Sequence, residues 1–156
     1  MTRREQRIGK AGEGAAARAL AALGICMIER IGTPVRLLPH GRYFAVIWWE
    51  RVSGDHRGVL PGGRSVLAET KTALDRNLRW SDLRAHQPQR LSRHAELGGL
   101  SLLVWVHESR VHESRVYVMQ WPIEGFERGA GITVKQGEIE HEKTRVALVQ
   151  YHKKLE

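Results

Sequence analysis

Asp55, Glu69 and Lys71 are residues whose types and spacing could do chemistry together. They lie in the stretch 55–71, DHRGVLPGGRSVLAETK, where two alternating runs flank Pro61-Gly62-Gly63. That pattern predicts a β-hairpin with a three-residue loop. Symmetry about Gly62 sets Leu60 against Arg64, Val59 against Ser65 and, continuing outward, Asp55 against Glu69, with partner Cβ atoms ~4.5–5.5 Å apart. Because strand side chains alternate, Lys71 shares the face of Asp55 and Glu69, while Ala68 and Thr70 point the other way. Two carboxylates this close repel unless a cation lies between them, and Mg²⁺ favours a carboxylate pair completed by waters and phosphate oxygens. Lys71 could orient or deprotonate an attacking water, or stabilise charge on a phosphate. The set is suited to metal-dependent phosphodiester hydrolysis. The rival reading is a solvated hairpin with unrelated charges, since E-x-K occurs in many strands.

The rest of the chain bounds what such a site could serve. Its 156 residues suit a single domain with one buried core. A formal charge of +8 and a pI near 10.2, with basic residues spread over most of the length, fit a polyanionic partner, nucleic acid first. An anionic membrane surface is the competing partner, but no long basic amphipathic helix supports it. Cys26 is the only cysteine, which excludes a disulfide framework and a thiolate zinc cluster. The reading is a soluble, intracellular, cytoplasmic protein without a signal peptide or a membrane span.

The elements that must position these residues follow in order. Ile8, Ala11, Ala15, Ala19 and Leu23 recur near helical spacing, predicting a helix over 3–23 that stops at Gly24. Glu13 falls inside it, flanked by Gly12 and Gly14; it reads either as surface charge or as a third acid leaning toward the site. Residues 25–31 suggest a first strand. Residues 35–38 and 43–49 suggest a second hairpin around Pro39-His40-Gly41, carrying Arg36, Arg42 and Arg51. Of the adjacent Trp48 and Trp49, one should be core and the other should fill an interface or stack on a base. Residues 72–79 read as a polar connection. Residues 81–97 read as a helix capped by Ser81, kinked or restarted at Pro88. His86, Gln87, Arg90 and Arg93 lie along it. Residues 100–106 form an apolar run expected to be a central strand. The tandem copy VHESR at 106–115 is expected to lengthen the hairpin to the strand 115–120, and its His-Glu pairs read as solvated. Residues 123–128 suggest one helical turn, and 132–156 a tail of mixed pattern outside a core spanning about 7–121.

Taken together, the segments resemble a known group. A helix with Glu13, then Asp55, then Glu69-x-Lys71 in a mixed sheet resembles the PD-(D/E)XK nuclease superfamily. The ordered segments IERIGTPV (28–35), GDHRGV (54–59), LAETK (67–71) and LRAHQ (83–87) are similar to those of Holliday-junction resolvases of the RecU type, whose core the cellular archaeal resolvases share. The resemblance implies an α/β restriction-endonuclease-like fold, a mixed β-sheet flanked by helices. It implies Asp55, Glu69 and Glu13 as metal ligands, Lys71 as the catalytic lysine and Gln87 at the active site with His86 beside it. Thr33 would touch phosphate or metal. Arg36, Arg42, Arg57, Arg76, Arg79, His86 and Arg90 are the expected DNA contacts. The implied cofactor is Mg²⁺, with Mn²⁺ able to substitute. The implied partners are branched double-stranded DNA in four-way junctions and a second copy of the chain, a homodimer. Two departures stand out: Gly54 replaces the superfamily's proline, and the 36–51 hairpin is shorter than the projection of RecU proteins. The alternatives are another repair or restriction-type nuclease of the superfamily, and a basic DNA-binding module without catalysis.

Overall fold

The computed structural model describes residues 3–32, 35–40, 43–48, 54–109 and 114–155. Helix α1 (Arg3–Ala22) is followed by strands β1 (Cys26–Arg30), β2 (Val35–His40), β3 (Tyr43–Trp48), β4 (His56–Val59), β5 (Ser65–Leu74) and β6 (Leu78–Arg79). A 3-10 turn (Trp80–Asp82), α2 (His86–Glu96), β7 (Leu100–Glu108), β8 (Ser114–Gln120), β9 (Gly131–Ile132) and α3 (Val134–Lys153) complete the order. Five strands form one mixed sheet in the order β1-β4-β5-β7-β8. β5 and β7 are parallel and the other neighbours antiparallel. A parallel neighbour requires a crossover, and α2 lies in the segment that makes it. Among the described residues β2 and β3 pair only with each other, as do β6 and β9.

The central strands are apolar on both faces because helices cover both. Leu102, Val104 and Val118 pack with Ala16 and Leu20 of α1 and Leu148 of α3. Their neighbours Leu103, Trp105 and Met119 pack on the opposite side with Leu91 of α2 and with Trp121 and Phe126. Burying a Leu or Val side chain contributes ~1.5–3 kcal/mol, so these two layers supply the rigidity on which a site can be built. Of the two glycines around Glu13, the packing explains Gly12. A Cβ there would collide with Thr72 Oγ1, so the missing side chain lets α1 cross β5 closely.

Several expected elements change. The strand carrying Glu69 and Lys71 runs on to Leu74, and Leu78–Arg79 pairs with Gly131–Ile132, so 72–79 is not a loose connection. α2 begins at His86 and not at Ser81; Pro88 stands in its first turn, where its missing N–H costs nothing. β2 continues through Pro39 and pairs His40 with Tyr43. Residues 123–128 form turns, not a helical turn. Glu108 pairs with Ser114, so the VHESR copies do straddle the β7–β8 hairpin; residues 110–113 lie outside the described ones. The largest correction is α3, a 20-residue helix where only a mixed pattern was legible. Thr133 caps it, its side chain accepting from Gln136 N. Its inward residues include Gly137, Thr144 and Leu148, too few apolar positions to mark a stripe. Instead it closes the sheet edge with polar atoms. His141 Nδ1 accepts the N–H of Val118 at 3.0 Å, and Thr144 Oγ1 that of Gln120 at 2.9 Å. An exposed ladder edge is thereby blocked. Among the described residues no helix is long and apolar enough to cross a membrane.

Candidate active site

The β4–β5 hairpin has the register that its turn implies. Val59 pairs with Ser65 and His56 with Ala68, Leu60 N donates to Arg64 O at 2.9 Å, and Asp55 N donates to Ala68 O at 2.8 Å. Asp55 therefore stands where the ladder ends, opposite Glu69. The two acids are held reciprocally. Thr70 N, next to Glu69, donates to Asp55 Oδ2 at 2.7 Å; Gly54 N, next to Asp55, donates to Glu69 Oε2 at 2.9 Å. Each carboxylate is locked by the backbone that carries the other.

The other Glu69 oxygen gathers two side chains. Lys71 Nζ lies 2.9 Å from Oε1, and Gln87 Nε2 donates to the same atom. Gln87 is itself aimed by Arg84 N, which donates to its Oε1 at 2.8 Å. The first turn of α2 thus reaches the middle of β5, 18 residues away in sequence. Glu69 is 1% exposed. Burial raises its pKa above the ordinary carboxylate value; Lys71 opposes this, the charge of Asp55 adds to it, and the Gly54 N–H opposes it. Because each of the two charges feels the other, a cation placed between them would relieve both.

Gly54 is the residue on which this geometry turns. Its φ of +89° lies in the left-handed region, and a Cβ would fall 2.5 Å from Leu67 Cδ1. Proline could neither adopt that φ nor donate the N–H that holds Glu69. Glycine at this position is therefore part of how this chain fixes its acid.

On the α1 face of the same strands lies a second group. His56 is 3% exposed, with Nδ1 3.5 Å from Thr70 Oγ1. Burial lowers its pKa, Asp55 and Glu13 pull it up, and Arg30 pushes it down. Glu13 sits here, 2.6 Å from an Arg30 nitrogen, while the hydrogen bonds and ion pair of the Glu69 carboxylate among the described residues go to Gly54, Lys71 and Gln87. His56 was not singled out from sequence. Its alternation with Asp55 assigns it to the opposite face, and only the arrival of α1 makes that face crowded.

The remaining expected contacts divide. Arg57 pairs with Glu29 at 2.7 Å, and Arg76 grips Asp82 through two bonds of 2.7 and 2.9 Å, so each guanidinium stands beside a carboxylate. Arg79 and Arg90 are exposed. His86 opens α2 beside Gln87. Thr33 and Arg42, with the side chains of Arg36, Trp48 and Trp49, lie outside the described residues.

The residues present fit a hard divalent ion. Asp55 and Glu69 supply carboxylate oxygens, and Mg²⁺ is commonly held by one or two carboxylates plus waters and phosphate oxygens. In the geometry described, the Lys71 ammonium occupies the cationic place at Glu69 Oε1. Compared with protein-family models and with curated proteins, the chain matches neither a family nor a relative.

Proposed function

We propose that this protein is a Mg²⁺-dependent endonuclease of the restriction-endonuclease-like fold that resolves four-way DNA junctions as a homodimer. The observation that carries the reading is the reciprocal hold on Asp55 and Glu69, with Lys71 and Gln87 converging on the same carboxylate. Buried acids with a specific charge partner are concentrated at functional sites. The order of helix, aspartate strand, E-x-K strand and glutamine helix, in a mixed five-stranded sheet, supports the fold assignment. The net charge of +8 supports a polyanionic substrate. The four-way shape of that substrate rests on the ordered segments alone. Symmetric cutting of two strands by a two-fold dimer follows from that shape.

In this reading Asp55 and Glu69 would hold the ion, and Gln87, donating to Glu69 Oε1, would fix that carboxylate. Bound there, the ion would supply Lewis-acid stabilisation of the phosphate and a more acidic water. Lys71, beside Glu69, orients the attacking water or neutralises a phosphate oxygen as the phosphorus–oxygen bond breaks.

The second reading is a basic DNA-binding module without catalysis. The burial of Glu69 and the engagement of both its oxygens favour it, since a closed ion pair can be purely structural. One experiment separates the two. Purified protein is mixed with four-way, flap and linear duplexes in Mg²⁺, beside Glu69→Ala. The nuclease reading expects cleavage by the wild type, strongest on the four-way substrate, lost in the variant while binding persists. Equal cutting by Glu69→Ala overturns the site, and a wild type that binds but never cuts leaves the module.

A further inference from the structure

A cleft of about 530 Å³ lies between the segment after β6 and the segment leading into β9. One wall comprises Arg79, Trp80, Ser81, Leu83 and Ala85; the other runs from Arg128 through Gly129 and Ala130 to Gly131. Its volume is in the ~300–1,000 Å³ range of small-ligand sites. The walls are pinned together. Leu78 pairs with Ile132, Arg79 with Gly131, and Trp80 N donates to Ala130 O at 3.0 Å. Asp82, braced by Arg76, also accepts Arg79 N at 2.8 Å. The cleft is therefore built before anything binds.

Its charge is unbalanced. Arg57, Arg76, Arg93 and Arg145 each stand beside a carboxylate. Arg79 and Arg128 enter no ion pair among the described residues, although both are exposed and border the same cavity. Asp82 is the acid nearest Arg79 in sequence, and its oxygens are taken by the Arg76 guanidinium and the Arg79 amide; Glu127 adjoins Arg128, and among the described residues no ion pair joins the two. Two guanidinium groups on one cleft repel each other until an anion enters, and their planar forks match phosphate. The floor suits the rest of a nucleotide. Trp80 is half-buried, its ring backed by Trp121 at 5.9 Å and Phe126 at 5.4 Å. Glycine, alanine and serine on the walls leave room for a flat ring beside it.

We propose that this cleft binds one nucleotide of an unpaired nucleic-acid strand, its phosphate held by Arg79 and Arg128 and its base or sugar laid against Trp80. The choice of ligand rests on the nuclease reading; the cleft itself does not. Its position gives the binding a purpose. The wall ends at Ala85, two residues before Gln87, whose amide touches Glu69. A strand gripped there is anchored on the same segment that aims the catalytic acid.

The test is a salt series of fluorescence-anisotropy titrations with a labelled single-stranded oligonucleotide. Arg79→Ala/Arg128→Ala is compared with Lys153→Ala/Lys154→Ala, which removes the same charge at the end of α3. The cleft variant should bind about 10-fold more weakly near 0.1 M salt, and its salt slope should fall by about 0.7, the share of one phosphate contact on a single strand. The tail variant should match the wild type. Equal slopes and affinities in the two variants overturn the cleft, as does a wild type that does not bind the oligonucleotide. Cleavage in Mg²⁺ by the wild type and Glu69→Ala, measured on the same preparations, judges the nuclease reading separately. Both arginines are exposed, so the variants keep the fold, which a thermal melt checks.

Discussion

Placing proline at position 54 should damage this protein more than placing alanine there. Gly54 has φ +89° and donates its N–H to the buried Glu69 carboxylate at 2.9 Å. Gly54→Ala keeps the donor but forces an L-residue into the left-handed region, at ~1–2 kcal/mol. Its Cβ would also press on Leu67 Cδ1, the end of a half-buried side chain that can turn aside. For a chain of this size ~1 kcal/mol moves Tm by roughly 2–4 °C, so alanine should lower it by about 2–8 °C. Gly54→Pro removes the donor as well. A hydrogen bond to a charged group contributes ~1.5–3 kcal/mol, and the ring cannot reach the native φ. Proline should therefore cost at least that much beyond alanine, about 2.5–5 kcal/mol in all. Against a typical stability of ~5–15 kcal/mol the variant still folds, and urea unfolding of all three proteins reads the difference. If the proline and alanine variants melt within about 1 °C of each other, the amide of Gly54 does not hold Glu69 and the account of the site is wrong.

Gly12→Ala should destabilise by ~1–3 kcal/mol because its methyl meets Thr72 Oγ1, and adding Thr72→Ala should recover most of the loss. A double-mutant cycle in urea checks this, and additive losses would refute the close crossing of α1 over β5. The pH dependence of stability should show His94. Its Nδ1 donates to Ser101 Oγ at 2.9 Å, because the Ser101 proton is given to Leu91 O, and its Nε2 accepts from Ser65 Oγ. Burial lowers its pKa below 6.5, with Arg64 adding to the effect. The stability it contributes is thus present above pH 6.5 and lost as pH falls through its folded value. Thermal melts at stepped pH should decline on that side, and His94→Gln should flatten the decline; an unchanged slope would refute the assignment.

How much of the site was legible depended on how local its causes are. The facing of Asp55 and Glu69 follows from a three-residue turn and the two-residue period of a strand, and the pairing of Val59 with Ser65 and His56 with Ala68 reproduces it. The nearness of Gln87 to Glu69 came from an ordered set of segments, and the hydrogen bond between them agrees with that order. α3 was not legible. A helix that docks through a glycine, a histidine and a threonine onto strand N–H groups carries no apolar period to read. Nor was the pairing of Glu13 with Arg30, or the crowding of His56 under α1. Those depend on which helix crosses which strand.

The sequence by itself determined that two acids and a lysine share one face of a hairpin and that the chain is strongly basic, because turn symmetry, alternation and charge are properties of neighbours. Only the tertiary structure decided which backbone amide holds each acid, that Glu69 is sealed beneath Lys71 and Gln87, and that Arg79 and Arg128 border one cleft. These are contacts between distant segments, and their distances are set by how helices and sheet pack.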